Sequence, residues 1–339
     1  MPDDQPCAET GRGAPRRHHD PLAARTVFVA PKRAERPIDN GDAAFGAPSL
    51  DDCPFCAGNE SRTPPAVLQM PAAGGTAWHA RIIPNRYPVV EDFSAAAGPR
   101  PAADSAHAAH GVHDVVIESA SHVRSILAVD ASAWRDVWEL CRQRLAMLST
   151  RPDLAWGMVF KNSGPRAGAS LEHLHSQLVA LDFVPPVIQA ELAAARRSAD
   201  PFGACLRRAA AEERVVAEHG DLIAFVPHAL RQPFETWILP AAPEAWFHET
   251  SADRVAAVAA LTQQVIAKLD RLAPGADYNW WLHQAPFASH VADRADIDRW
   301  HWHLEILPRL SGFAGFELAT GCHISVATPQ ESARLLREA

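Results

Sequence analysis

Two segments, HLHSQLVAL at 173–181 and HWHLEILP at 301–308, each open with His-x-His and run on into apolar residues, the His pairs lying 128 positions apart. On a strand, side chains at i, i+2 and i+4 share a face, so each segment presents two imidazoles and a third polar group, Gln177 or Glu305, on one side. The surrounding pattern repeats as well. Helical spacing of Trp134, Val137, Trp138, Leu140, Cys141, Leu145 and Leu148 predicts a helix over 132–150, with strands at 26–30, 113–118, 155–160 and 173–181. In the second half an amphipathic helix is expected over 251–272, with strands at 221–227, 235–239, 277–283 and 300–307. The chain should therefore be α+β, made of two halves related by duplication.

The 339 residues are too many for one small domain and suit two. We divide them into a mobile tail at 1–20, a first half at 21–185 and a second at 186–339. Segments 39–76 and 94–111, rich in Gly, Pro, Asp or Ala, read as an irregular loop and a flexible insertion. A net charge of −8 argues against nucleic acid as a partner but leaves room for a local basic pocket. No apolar run approaches the roughly 18 residues of a membrane span, so a soluble protein without a membrane partner is expected. The N-terminus lacks the apolar core of a secretory signal, and six scattered Cys do not look like a disulfide framework, so a cytoplasmic setting is expected.

Three constellations could carry chemistry. His173, His175 and Gln177 follow the loop NSGPRAGAS, whose backbone N–H groups and small hydroxyls suit a phosphate. A lone strand His is usually just hydrogen-bonded; two with a Gln on one face shift the balance towards a metal ligand or a nucleophile for phosphorus. Cys53-Pro54-Phe55-Cys56 is either a redox pair or half a metal site. Gly58 and Pro64-Pro65 disfavour the helix that a redox pair needs, so half a zinc site, completed by His, is preferred. The third set is His301, His303 and Glu305, with His283 ending the preceding strand: imidazoles with a carboxylate suit zinc or iron(II), against a buried aromatic strand with incidental His. Trp280, Trp281, Trp300 and Trp302 read as core rather than interface.

Longer stretches carry a family likeness: CPFCAGNESRTPP (53–65), RIIPNRYPVV (81–90), HDVVIESASH (113–122), FKNSGPRAGASLEHLHSQ (160–177), NWWLHQAPF (279–287) and HWHLEILPRLSGFAGFELATG (301–321). With DPLAARTVFVAPKRAERP (20–37) and EHGDLIAFVPHALRQPFETWILP (218–240), they resemble the galactose-1-phosphate uridylyltransferase family of the histidine-triad superfamily. The wording is closest to a bacterial and plant-like branch that includes nucleotide-sugar phosphorylases acting on ADP-glucose. The resemblance implies two histidine-triad-like halves, each an antiparallel sheet with helices packed against it. It implies that His175 is the nucleophile and that Cys53, Cys56, His122 and His173 hold zinc. Glu191, His283, His301 and His303 would hold a second metal, iron(II) or another zinc. Arg33, Arg36 and Asn85 would contact the nucleotide, and Gln177, Asn162 and Ser170 the transferred phosphate. A homodimer is implied too. The family's usual His-Pro-His is here His173-Leu174-His175, which restores a backbone N–H. The C-terminal stretch AGFELATGCHIS (314–325) departs from the sugar-reading region of the family.

The expected activity is exchange of UMP between UDP-glucose and galactose 1-phosphate through a covalent uridylyl-histidine, with a nucleotide sugar and a sugar 1-phosphate as partners. Alternatives are an ADP-glucose-type phosphorylase using the same His, or a non-catalytic zinc-binding scaffold.

Overall fold

The computed structural model describes residues 14–20, 25–35, 53–72, 77–92, 107–198, 200–291 and 293–339. Two strands, β1 (Arg16–Asp20) and β2 (Arg25–Val29), pair antiparallel. The main sheet follows with the hairpin β3 (Leu68–Pro71) and β4 (Trp78–Pro84), while β5 (His107–Ala108) joins β1. Then come β6 (Gly111–Ile117), helix α1 (Ala131–Ser149), β7 (Trp156–Ser163) and β8 (His175–Leu181). Helices α2 (Pro186–Arg197) and α3 (Pro201–Ala211) lead into the second half: β9 (Val215–His219), β10 (Leu222–Phe225), β11 (Thr236–Pro240), α4 (Ala252–Leu272), β12 (Tyr278–His283) and β13 (His303–Pro308). Short α5 (Gly315–Thr320) and α6 (Pro329–Glu338) close the chain.

Ten strands make one antiparallel sheet in the order β3-β4-β6-β8-β7-β12-β13-β11-β10-β9. Each half contributes a hairpin, a third strand, a helix, and two strands of which the last inserts beside the third; the two five-strand orders mirror each other about the β7–β12 seam. The sequence led us to expect one sheet per half. Instead Phe160, Lys161, Asn162 and Ser163 of β7 pair with Trp281, Trp280, Asn279 and Tyr278 of β12, and the sheets fuse.

Alternation along the strands decides what each face meets. Leu178 and Ala180 of β8, and Leu304 and Ile306 of β13, pack with α1 and α4 in a common core. Trp138 of α1 stacks on Trp280 of β12 at 5.1 Å between ring centres, and Trp134 Nε1 donates to Thr262 Oγ1 of α4 at 2.9 Å. Trp280, Trp300 and Trp302 are buried as core, whereas Trp281 is half-buried beneath the Arg231 guanidinium. His175 and Gln177, and His303 and Glu305, occupy the alternate positions and so face away from α1 and α4.

The sequence reading missed several elements. Residues 16–20 belong to β1 rather than to a tail: Arg17 pairs with Asp182 at 2.9 Å and lies over the Phe183 ring, while 1–13 lie outside the described residues. The expected loop at 39–76 contains β3, and the expected insertion at 94–111 ends in β5 and the first residue of β6. Helices α2 and α3 escaped notice because their Ala-rich faces carry few large apolar markers. No helix among the described residues is long and apolar enough to cross a membrane.

Candidate active site

The loop between β7 and β8 needs two glycines: Gly164 and Gly168 have φ of +85° and +87°, where a side chain is strained. Its other supports come from the second half. Asp277 Oδ2 accepts the Arg166 N–H at 2.6 Å, and Asn279 Nδ2 donates to Asn162 Oδ1 at 2.8 Å and to Ala167 O at 2.9 Å. This loop delivers the chain to His173 and His175.

A carbonyl oxygen can only accept, so the 2.7 Å contact from His175 Nδ1 to His173 O fixes the proton on Nδ1 and the lone pair of the neutral ring on Nε2. His175 is half-buried, with the Phe55 ring edge-on at 5.5 Å. It lines a cleft of about 350 Å³ together with Arg33, Phe55, Asn85, Ser170 and Gln177. Arg33 donates to Tyr87 O at 2.8 Å, and Asn85 Oδ1 accepts the Tyr87 N–H at 2.8 Å. Arg36 lies outside the described residues. Asn162 is not in this cleft; it lines an adjoining one of about 420 Å³ that shares Leu171, Glu172, His173 and His175. His175 therefore stands between two hollows.

Behind the strand is a polar cluster that motif reasoning missed. Lys161 Nζ donates to Glu118 and, at 2.8 Å, to the carbonyl of His175, while Ser176 Oγ donates to the other oxygen of Glu118. Burial pulls the Lys161 ammonium below its ordinary range, and the Glu118 charge opposes that. The signal that could have found it was a Lys and a Glu inside apolar strands, which demand one another.

Cys53, Cys56, His122 and His173, as the sequence anticipated, converge: one donor atom from each lies within 4.8 Å of every other. Cys53 Sγ is 3.4 Å from His173 Nδ1, and Cys56 Sγ is 3.5 Å from His122 Nδ1 and 3.6 Å from His173 Nδ1. Zinc bonds of about 2.3 Å to sulfur and 2.0 Å to nitrogen give tetrahedral S···N edges of about 3.5 Å, so the donors fit that ion. His173 Nε2 donates to Ser119 O at 2.9 Å, aiming its Nδ1 lone pair at the set. Burial lowers His173 to about 4, and burial with the neighbouring Cys53 raises Cys56 to about 11, so the imidazole is kept neutral and the thiolate would need a bound cation. The Ala57 N–H donates to Ala120 O at 2.9 Å and ties the Cys turn to the segment bearing His122.

The second set differs from the expected one in one member. Glu191 on α2, His283, His303 and Glu305 offer donor atoms within 4.8 Å of one another, and His301 is not among them. Regular strand starts only at His303; His301 sits earlier, bridged to Glu244, with Nδ1 donating to Pro240 O at 2.7 Å. Strand alternation from His303 selects Glu305 instead. His303 Nδ1 donates to His301 O at 3.1 Å, leaving the Nε2 lone pair towards the carboxylates. His303 Nε2, Glu191 Oε2 and also His301 Nε2 are buried without a hydrogen-bond partner among the described residues, as expected near a cation that prefers N and O donors.

With this geometry in hand, the likeness to known proteins can be weighed. The family model described as galactose-1-phosphate uridyl transferase, N-terminal domain, matches residues 8–185, and a domain of unknown function (DUF4921) matches 143–338. The ADP-glucose phosphorylase of Arabidopsis thaliana is 30% identical over 330 residues, covering 96% of this chain and 93% of that protein. The galactose-1-phosphate uridylyltransferase of Thermotoga maritima is 27% identical over 337 residues, covering 94% of this chain and 97% of that protein. The crystal structure of the Arabidopsis phosphorylase with bound ADP-glucose superposes with a TM-score of 0.75 at 29% identity, over 96% of this chain and 99% of that one. Fold and matches together define a nucleotidyltransferase. The chain belongs to the galactose-1-phosphate uridylyltransferase family.

Proposed function

We propose that this chain transfers a nucleoside monophosphate from a nucleotide sugar by way of a covalent intermediate on His175. The observation that carries the reading is the His175 ring itself, held by its Nδ1–H to a carbonyl and standing between two clefts. Its Nε2 lone pair forms the N–P bond to the α-phosphorus; the P–O bond to the sugar phosphate breaks, and the sugar 1-phosphate leaves with that electron pair. The His173 carbonyl then stabilises the charge gained by the ring. An anionic acceptor reverses the step, and its charge removes the need for a strong general base. Gln177, Ser170 and loop amides from Asn162 onward support the phosphate, and Arg33, Arg36 and Asn85 the nucleotide. Zinc held by Cys53, Cys56, His122 and His173 would have its four positions filled by protein and so brace the strand rather than activate water. Iron(II) or a second zinc would be held by Glu191, His283, His303 and Glu305.

Two donor–acceptor pairs are candidates. One is UDP-glucose with galactose 1-phosphate, as the sequence suggested; the other is ADP-glucose with phosphate. The 30% identity to an ADP-glucose phosphorylase across 96% of the chain favours the second. A cytoplasmic setting suits the free thiols of Cys53, Cys56, Cys141, Cys205 and Cys322. A homodimer agrees with the exposed Phe316, Leu318, Ile324 and Val326 beyond β13.

The test is incubation with UDP-glucose or ADP-glucose labelled in the α-phosphate. Acid-labile label on the parent chain and none on His175→Ala is expected; a parent without label, or equal activity in the variant, would overturn the proposal. Adding galactose 1-phosphate or phosphate to the labelled protein identifies the acceptor.

A further inference from the structure

The Gln177 amide has two chemically opposite ends of nearly the same shape. Only its nitrogen can donate to a phosphate oxygen; its oxygen would repel one. Something must fix which end faces the cleft, and β6 supplies it. Register pairs Val115 with Gln177 and His113 with Val179, so His113 is the diagonal neighbour of Gln177. The His113 ring is buried, and its Nε2 lies against two side-chain amides, Gln177 Oε1 at 2.9 Å and Asn85 Nδ2 at 3.1 Å. The Val89 N–H, which can only donate, points at Nδ1 from 3.1 Å. The proton therefore sits on Nε2, which lies 2.9 Å from Gln177 Oε1. Rotating the Gln177 amide by half a turn would leave Nε2 facing two amide nitrogens, Asn85 Nδ2 and Gln177 Nε2, in a buried place. The Gln177 oxygen is thus held by the imidazole, and the NH₂ group is turned elsewhere.

We propose that His113 is a positioning residue for nucleotidyl transfer: it fixes the amide of Gln177 so that the nitrogen, not the oxygen, serves the reacting phosphate. This rests on the reading of His175 given above. His113 touches neither the nucleotide nor the phosphorus; it acts through Gln177. The backbone link that starts the chain, Val89 to His113, lies just beyond the turn of Asn85 and Tyr87 that lines the nucleotide cleft. The same wall that receives the nucleotide therefore sets the orientation of the phosphate-binding amide.

The test follows the rate at which His175 takes label from a nucleotide sugar, in single turnover, using the full chain. His113→Asn keeps an acceptor for the Val89 N–H but is too short to reach Gln177. His113→Gln carries an amide nitrogen out to the place of Nε2. Labelling by His113→Asn should slow by roughly tenfold, the effect of leaving one buried acceptor unmet, while apparent affinity for the nucleotide sugar shifts by less than about twofold. His113→Gln should recover most of the rate. In a Gln177→Ala background, His113→Asn should change the rate by less than about twofold, because the amide it orients is gone. An unchanged rate in His113→Asn, or the same loss with Gln177→Ala present, would overturn the proposal. If His113→Asn does not fold, a tenfold or greater loss in His113→Gln overturns it just as well. A parent chain that takes no label sinks the transfer reading itself; a labelled parent with unaffected variants sinks only the role of His113.

Discussion

Nζ of Lys161 donates to the carbonyl oxygen of His175 at 2.8 Å, from the side of the sheet opposite to the imidazole. The backbone of the candidate nucleophile is therefore held between its own side chain, tied to His173, and a buried ammonium tied to Glu118. Both charges are almost wholly buried, at 1% and 0% side-chain exposure.

Removing one partner leaves the other charge alone in the core. Lys161→Met should cost about 3–5 kcal/mol in urea unfolding, and adding Glu118→Gln should restore much of it. A single variant as stable as the parent would show that the pair does not hold the strand.

The second metal set separates two adjacent His. Glu305→Gln should lower the metal bound at this site at least tenfold in affinity, as read by elemental analysis after dialysis. His301→Ala should keep the metal, because His301 is outside the group whose donor atoms lie within 4.8 Å of one another. The reverse result would restore His301 as the ligand.

Leu174 donates its N–H to Val123 O at 2.8 Å, a bond that a proline cannot make. Leu174 is also buried in the core shared with α1 and α4. Leu174→Pro should therefore lower stability by about 1–3 kcal/mol, from the unmet carbonyl and lost packing. Because His173 and Leu174 precede β8, whose pairing begins at His175, labelling of His175 should persist. Loss of label with intact stability would contradict this.

The loop between β7 and β8 leans on Asp277. A Cβ on Gly164 would come within 1.8 Å of Asp277 Oδ1, at a φ of +85° that already excludes most side chains. Gly164→Ala should cost about 1–3 kcal/mol and cut transfer sharply. Asp277→Ala should be milder in stability yet also slow transfer, since Arg166 loses its anchor. Full activity in both would mean that the loop need not hold this shape.

How far the sequence could be read depended on whether the signal was local. His-x-His at the start of two strands, Cys-x-x-Cys before a proline-rich turn, and two long helices were visible because each has a fixed period or spacing. Residue alternation put His301, His303 and Glu305 on one face, whereas the family resemblance named His301 and His303 and left Glu305 out. The structure groups His303 with Glu305 and not with His301, because the strand is regular only from His303 onward. His122, found by resemblance, has no pattern of its own and reaches the set through the Ala57–Ala120 tie. Lys161, Glu118 and His113 stayed hidden because their roles depend on cross-strand register, which no single segment contains.

The β7–β12 seam also bears on how such a chain is made. The edge of β7 that will carry Asn162 is unpaired until Asn279 exists, more than a hundred residues later. A chain emerging from the ribosome would carry its zinc donors and His175 well before the loop beside them could be clamped. A truncated product stalled before β12 would thus display the candidate nucleophile without the loop supports from Asp277 and Asn279, together with an open strand edge inviting association with other chains.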